Sequence, residues 1–152
     1  MTAAARETMA AVLAMWNGAS TDALPRLLAP TYRGHVLGVP NGERDGAAYP
    51  AAIARYRHAF PGVVFTVVEQ FDAGDRLVTR LQAHRTSGED GHASVSHGMN
   101  FSRFDKADRL DEEWAIWSAW QAGNEEAPTS RPCLTSGSAP TSRAARCCSS
   151  PR

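Results

Sequence analysis

Residues 60–84 read FPGVVFTVVEQFDAGDRLVTRLQAH, residues 94–120 read SVSHGMNFSRFDKADRLDEEWAIWSAW, and these two stretches decide the fold. Apolar runs rich in Val, Phe and Trp alternate there with turn-forming segments at 73–75, 88–91 and 105–108. Apolar runs between turn formers predict long antiparallel strands in a meander. A sheet that curls over preceding helices makes a pocket, and we expect the functional site in it.

The residues before the meander are predicted to be mainly helical. Residues 3–17 place apolar side chains at helical spacing, and Gly18 is a natural stop. A second, shorter helix is expected to be capped by Ser20 or Thr21 and to end at Pro30. Its buried stripe is Leu24, Leu27 and Leu28.

A short strand, a loop and a third helix complete the part before the meander. Residues 31–39 predict a strand that two glycines weaken, and the turn formers of 40–46 predict a loop. Residues 47–60 predict a helix with Ile53, Tyr56 and Phe60 along one side. The Pro-Gly pair that follows ends this helix and starts the sheet.

The composition changes after residue 123. Residues 124–152 consist mainly of Ser, Thr, Pro, Ala and Arg, with a single large aliphatic side chain, and contain Cys133, Cys147 and Cys148. Such a segment buries too little apolar surface to offset its ordering entropy. We therefore expect one domain over 1–123 and a disordered tail.

The charge pattern excludes several classes of protein. Residues 1–123 contain 12 Lys and Arg against 14 Asp and Glu, which gives about −2 with no basic stripe. Nucleic acid is therefore not an expected partner. No apolar run could span a membrane, and no signal peptide is visible, so we expect a cytoplasmic protein. Phosphate-binding glycine loops, dinucleotide fingerprints and metal-ligand spacings are absent, so we expect no cofactor and no metal.

Six short motifs occur in a characteristic order. They are WNG (16–18), LLAPTY (27–32), AFPG (59–62), GDRLVTR (74–80), FSRF (101–104) and EEW (112–114). In this order and spacing the chain resembles the SnoaL-like polyketide cyclase family, part of the nuclear-transport-factor-2-like superfamily. The resemblance implies a cone-shaped α+β fold in which three N-terminal helices pack on a curved, mainly antiparallel sheet around a cavity. It also implies homodimers that pair through the outer sheet face.

The activities implied by the resemblance are diverse. Family members close polyketide rings by aldol chemistry, relatives of the same fold hydrolyse epoxides or isomerise ketosteroids, and others only bind ligands. In the cyclases and in limonene epoxide hydrolase a catalytic Asp follows a Trp or Arg in the last strand, whereas here Ala115 follows Trp114. A family His in the preceding strand corresponds to Asn100, and the segment 88–92 is shorter than the family loop. The usual acid–base carboxylate is therefore missing at its usual position.

Strand alternation predicts which side chains share the pocket face. If Ala115 faces the cavity, so do Asp111, Glu113, Trp117 and Ala119. If Asn100 faces it, so do Ser96, Gly98 and Ser102 of the same strand. In the strand before, Arg80, Gln82 and His84 share one face. The predicted ligand pocket consists of Trp16, Tyr32, Arg80, Gln82, Asn100, Ser102 and Trp117.

Glu113 and His35 are the candidate catalytic residues. Glu113 lies two positions from Ala115, a step of roughly 7 Å along a strand, and in an apolar cone it could act as general acid or base. It could equally be a solvated carboxylate beside Glu112 and Asp111. His35 suits proton transfer at neutral pH, but it could also be a hydrogen-bonded histidine in a half-buried strand.

Aromatic residues could form a wall for a flat, largely apolar ligand, or simply pack in the core. They are Trp16, Tyr56, Phe60 and Trp117. Asn100 and Gln82 would need partners in such a pocket, and a ligand with carbonyl or hydroxyl groups could supply them.

Two functions remain open at this point. The first is a cofactor-free cyclase or isomerase acting on a polyketide-like or related natural-product intermediate. The second is a non-catalytic small-molecule-binding protein that has lost its carboxylate at Ala115. They differ in whether Glu113 or His35 points into the cavity.

Overall fold

The computed structural model describes residues 2–40, 42–86 and 91–122. The elements in chain order are α1 Ala3–Trp16, α2 Leu24–Leu27, β1 Leu28–Val36, β2 Glu43–Asp45, α3 Tyr49–Ala59, β3 Val64–Ala73, β4 Arg76–Thr86, β5 Ala93–Phe104, β6 Leu110–Trp117 and β7 Gln121–Ala122. The predicted disordered tail, 124–152, and its cysteines lie outside the described residues, as does most of the loop at 88–91.

One curved, unclosed sheet contains all seven strands of the described ranges, in the order β2-β1-β6-β5-β4-β3, with β7 paired to β5. Strands β3 to β6 pair antiparallel with their chain neighbours, which confirms the predicted meander. β1 lies beside β6 and runs parallel to it. The first strand therefore joins the sheet next to the last long one. None of the described helices is long and apolar enough to cross a membrane.

The predicted turns form for local reasons. Ala73 pairs with Arg76 across a two-residue turn in which Gly74 has a φ of 68°, a conformation that glycine adopts without strain. In the turn between β5 and β6 the Asp105 carboxylate accepts hydrogen bonds from the backbone N–H groups of Ala107, at 2.8 Å, and Arg109, at 2.9 Å. Side-chain bonds of this kind are the reason that aspartate favours turns.

The second helix is shorter than predicted, and the strand after it begins earlier. α2 has four residues with Ala23 at its N-cap, and no side chain caps it. The Ser20 hydroxyl accepts instead from the N–H of Asp22, so it is used in a local turn. Pro30 lies within β1, where the pairing with β6 is irregular between Leu28 and Arg33. A proline, which has no N–H to donate, fits at such an irregularity.

The segment 40–46, predicted as a loop, contains β2. Its residues, Glu43–Asp45, pair antiparallel with Arg33, Gly34 and His35 of β1. Three consecutive charged residues show no alternation of apolar and polar side chains, so no sequence signal marked them as a strand. This strand is the edge that carries Arg44 toward the concave face.

The core lies between the helices and the concave face of the sheet. α1 buries Met9, Val12 and Met15, and a cluster containing Tyr32 and Tyr49 joins α3 to the sheet. At the end of α1, the side chain of Asn17 accepts from the N–H of Phe65 at 2.7 Å and donates to its carbonyl at 2.8 Å. These two bonds fix the first helix to β3.

Candidate active site

A cavity of about 700 Å³ lies between the concave face of the sheet and helices α1 and α3. Its walls are mostly apolar. The polar residues that line it include Arg44, Ser96, Asn100 and Glu113. An apolar cleft with a few converging polar groups is the usual form of a small-molecule site.

Glu113 lies inside this cavity because of the alternation of β6. Its neighbours Glu112 and Trp114 point to the outer face, where Glu112 contacts Arg76 and Arg103. Glu113 faces Ser102 across the β5–β6 pair and Gly34 across the β1–β6 pair. Only 2% of Glu113 is exposed, so it is not a solvated carboxylate.

Four side-chain donors surround the Glu113 carboxylate. Asn100 Nδ2 donates to Oε1 at 2.7 Å. The Tyr32 hydroxyl at 3.3 Å, the Tyr49 hydroxyl at 3.4 Å and Arg44 Nη2 at 3.5 Å all approach Oε2. One oxygen thus has a single short hydrogen bond, and the other shares three long ones. A buried carboxylate needs such partners to remain in a low-dielectric site.

The two tyrosines act as donors because they keep their protons. Burial raises the pKa of Tyr32 far above its usual range, and the charge of Glu113 raises it further. The same two causes, in the same order, raise the pKa of Tyr49. Tyr49 also accepts a hydrogen bond from Trp16 Nε1 at 3.1 Å. Its own proton therefore remains available for Glu113.

Arg44 brings a permanent positive charge to this cluster. Its guanidinium lies 4.8 Å from the ring centre of Tyr49 and 5.6 Å from that of Trp16, a cation–π arrangement. Burial acts to lower the pKa of Arg44, but the neighbouring Tyr49, Tyr32 and Glu113 outweigh it, and the net shift is upward. Arg44 therefore remains charged beside Glu113.

Arg44 and Tyr49 were missed in the sequence analysis. Arg44 lies in a polar segment that reads as a loop, and Tyr49 is the first residue of α3. An arginine in a predicted loop and a tyrosine at a helix start carry no pattern that places them in a pocket. Only the pairing of β2 with β1 and the packing of α3 bring both to Glu113.

Two glycines allow aromatic side chains to approach the sheet closely. A Cβ on Gly34 would lie 2.3 Å from the Tyr32 hydroxyl, which reaches over Gly34 toward Glu113. A Cβ on Gly98 would lie 2.6 Å from ring atoms of Trp117. Both glycines are thus required by the packing of a neighbouring ring.

The structure brings together four of the predicted site residues at the cavity wall: Trp16, Asn100, Glu113 and Trp117. Tyr32 lies fully buried beneath the wall and reaches the site through its hydroxyl. Ser102 is also fully buried, and its hydroxyl contacts Met9 Sδ at 3.7 Å rather than the cavity.

Arg80 and Gln82 do not line the cavity, contrary to the expectation from alternation. The β4–β5 register places Leu81 opposite Gly98 and Arg80 opposite Met99, so Arg80 and Gln82 share the outer face. Arg80 there contacts Glu69 at 3.3 Å. Alternation gives two possible faces for a strand, and only its register against the next strand selects one.

Asp111 also departs from the alternation of its strand. The β5–β6 pairing shifts between Arg103 and Phe104, close to Asp111. Its carboxylate accepts hydrogen bonds from Thr31 at 2.7 Å and from Arg103 at 2.8 Å. These bonds hold the pKa of Asp111 below its usual range. Asp111 is thus an ion-pair residue and not a cavity residue.

His35 lies on the face of the sheet opposite Glu113. Its ring stacks on Trp114 with ring centres 3.9 Å apart, and its nitrogens lie 3.8 Å from Glu43 and 3.7 Å from Glu112. The parallel β1–β6 register pairs Gly34 with Glu113 and His35 with Trp114. The structure therefore does not bring the two candidate catalytic residues together.

The four aromatic residues considered for a cavity wall both line the cavity and pack against a core cluster. Trp16, Tyr56, Phe60 and Trp117 all line the cavity, together with Phe65 and Trp120. Trp16 and Tyr56 meet edge to face with ring centres 5.7 Å apart. Within the described ranges, no group of three His, Cys, Asp or Glu side chains could hold a metal ion.

Comparisons with known proteins show which family and which solved structures the chain resembles. The sequence pattern described as the SnoaL-like domain matches residues 9–113. Among solved structures, a candidate polyketide cyclase from Acidithiobacillus ferrooxidans is 27% identical, with a TM-score of 0.66, and the match covers 78% of this chain and 91% of the other. None of the curated proteins matches the chain.

Two further structures share the fold. IdmH from Streptomyces antibioticus, also a candidate polyketide cyclase, is 24% identical with a TM-score of 0.65, and the match covers 74% of this chain and 91% of IdmH. A candidate isomerase of the SnoaL-like family from Agrobacterium tumefaciens is 16% identical with a TM-score of 0.62, and the match covers 78% of this chain and 100% of the other. At these identities the likeness shows the fold alone.

Proposed function

This chain belongs to the SnoaL-like domain family, and from that premise we propose that it is a cofactor-free cyclase or isomerase with Glu113 as its general acid–base group. The substrate class is an enolisable, largely apolar polyketide-like or related natural-product intermediate. The observation that carries the proposal is the placement of Glu113, a buried carboxylate that lines a mostly apolar cavity. Glu113 supplies the acid–base carboxylate that Ala115, at the usual position, cannot supply.

Proton transfer by Glu113 begins the proposed reaction. The carboxylate removes a proton from a carbon beside a substrate carbonyl, the C–H bond breaks, and its electron pair forms an enolate. Arg44, which is permanently charged and lies beside Glu113, stabilises the negative charge on the enolate oxygen. Tyr32 and Tyr49 hold the carboxylate in place through their hydrogen bonds.

The second half of the reaction consumes the enolate. In a cyclisation its carbon attacks a second carbonyl of the same chain, a C–C bond forms, and the new alkoxide takes the proton back from Glu113. In an isomerisation the proton returns to a different carbon. Both routes balance without a cofactor. The aromatic wall holds the chain folded, and such positioning can replace a large part of the entropic barrier.

A deuterium-exchange assay tests this proposal without knowledge of the natural substrate. Small cyclic ketones and 1,3-diketones are incubated with the protein in D₂O, and exchange of the protons beside the carbonyl is followed by NMR. Glu113→Gln keeps the shape of the side chain and cannot accept the proton. It should lower the exchange rate by about two to four orders of magnitude while ligand binding survives.

Glu112→Gln is the matched control, because Glu112 is the adjacent carboxylate on the outer face. This variant should exchange at the wild-type rate. Undiminished exchange in Glu113→Gln would exclude Glu113 as the base. Tight ketone binding by the wild-type protein without any exchange would favour the non-catalytic binding protein instead.

A homodimer in the cytoplasm is part of the same proposal. The outer face of the sheet exposes Phe71, Phe101, Trp114 and Ile116. A soluble monomer seldom leaves so many large apolar side chains on one surface. Pairing of two copies through this face would cover them and leave the cavities on the opposite side of each sheet.

A further inference from the structure

Two buried polar atoms at the cavity have no hydrogen-bond partner among the described residues. They are the amide oxygen Oδ1 of Asn100 and the Nε of Arg44. Only 7% of Asn100 and 14% of the Arg44 side chain are exposed. A buried polar group without a partner is costly, and natural proteins satisfy nearly all of them. Both residues line the cavity, so a bound ligand can supply what the protein does not.

The orientation of the Asn100 amide follows from Glu113. The amide group contacts Glu113 Oε1 at 2.7 Å, and an ionised carboxylate only accepts, so the amide nitrogen must face it. The amide oxygen then occupies the other corner of the planar group. Asn100 therefore presents to a ligand chiefly an acceptor.

Space for a ligand group beside Asn100 comes from Ala115. The two residues are direct partners in the β5–β6 pair, whereas Glu113 is the diagonal neighbour. Opposed side chains start about 5 Å apart, and Ala115 extends no further than its methyl group. The short Ala115 side chain thus lines the cavity directly beside Asn100.

Arg44 presents the opposite kind of group. Its Nη2 approaches Glu113, while its Nε–H has no acceptor. Nε–H can only donate, so it needs an oxygen with lone pairs. A carbonyl oxygen at Arg44 is also the oxygen that would gain negative charge when Glu113 removes the neighbouring proton.

We infer that the ligand is a hydroxy-ketone, whose hydroxyl donates to Asn100 Oδ1 while its carbonyl oxygen accepts from Arg44 Nε. This inference rests on the proposed function and deepens it by naming the substrate class. An acceptor and a donor on either side of the same carboxylate select compounds that carry both groups. A ligand that lacks the hydroxyl leaves the Asn100 oxygen unsatisfied.

The test uses three flat aromatic probes and the 152-residue chain. The probes are an acetylnaphthalene, the acetylnaphthol that adds a ring hydroxyl, and a naphthol that lacks the acetyl group, and their affinities are measured by calorimetry. For the wild type, the acetylnaphthol should bind about tenfold more tightly than the acetylnaphthalene, as one added hydrogen bond allows. Equal binding of these two probes would overturn the inference.

Three variants assign the effect to its residues. Asn100→Leu should abolish the hydroxyl preference. Ala115→Val, which keeps the Asn100–Glu113 bond and fills the space beside it, should abolish the preference too and guards against a folding defect in the first variant. Arg44→Lys keeps the charge but lacks Nε. In this variant the acetylnaphthol should bind no more tightly than the naphthol. Retention of the hydroxyl preference in both Asn100→Leu and Ala115→Val would overturn the assignment.

Two measurements distinguish this inference from the proposed function. The hydroxyl preference is measured by calorimetry on the wild type, in which Glu113 Oε1 accepts from Asn100 Nδ2, whereas the dependence of deuterium exchange on Glu113 is measured with Glu113→Gln. If deuterium exchange proves independent of Glu113 but the hydroxyl preference stands, the proposed catalysis fails and the ligand class survives. If exchange depends on Glu113 and the preference is absent, the ligand class alone is wrong.

Discussion

Gly98→Ala offers a sharp test of how the cavity wall is packed. The added Cβ would lie 2.6 Å from three ring atoms of Trp117, whereas ordinary contact begins at 3.4 Å. The ring would have to move by about 0.8 Å. Gly98 is not among the glycines with positive φ, so its backbone conformation suits alanine. The three atoms nearest to the added Cβ all belong to the Trp117 ring.

The expected cost is that of an overpacked core, about 1–3 kcal/mol. For a chain of this size each kcal/mol lowers Tm by about 2–4 °C, so the variant should lose roughly 2–12 °C. The measurement is thermal unfolding followed by circular dichroism. Intrinsic tryptophan fluorescence should change as well, because the ring of Trp117 must leave its position against Gly98.

A double-mutant cycle decides whether Trp117 is the cause. In a Trp117→Leu background the smaller side chain leaves room for the new methyl group, and Gly98→Ala should then cost less than about 0.5 kcal/mol. An equal loss of stability with and without the tryptophan ring would refute the steric explanation. The methyl group would then be acting through the backbone of β5.

Three further predictions follow from the same geometry. Tyr32 and Tyr49 keep their protons in the native state but ionise above pH 10.0 once unfolded, so the stability they contribute is complete below pH 10.0 and falls as the pH rises. Urea unfolding at several alkaline pH values measures how steeply the free energy of unfolding falls with pH. In Tyr32→Phe this decrease should be smaller by about 1.4 kcal/mol per pH unit. Asn17→Ala should lower the free energy of unfolding in urea by about 2–3 kcal/mol, because it leaves the N–H and carbonyl of Phe65 without partners. Asn17→Asp still accepts from the N–H and should lose less stability, so equal losses in both variants would argue against this pairing. Light scattering at micromolar concentration should give the mass of a dimer for the wild type and of a monomer for Trp114→Glu, and a monomeric wild type would exclude pairing through the outer face.

The meander and the relation of site residues along one strand were predictable because their causes are local. Turn-forming residues such as Gly74 and Asp105 specify where strands end, and the apolar runs between them specify strand type. Alternation along one uninterrupted strand also related Glu113 to Ala115 and Trp117 correctly. Within such a strand the period of two leaves no freedom once one residue is placed.

What the sequence by itself determined is therefore the order of the helices and long strands, the antiparallel meander and the relation of residues along each unbroken strand. Tertiary structure alone decided which face each strand turns inward, since Arg80 and His35 follow the register with the neighbouring strand. It also decided that Arg44 and Tyr49 meet at Glu113. These contacts join residues far apart in the chain, and no local pattern encodes them, because a strand register or a helix position is fixed by the combined packing of the whole core.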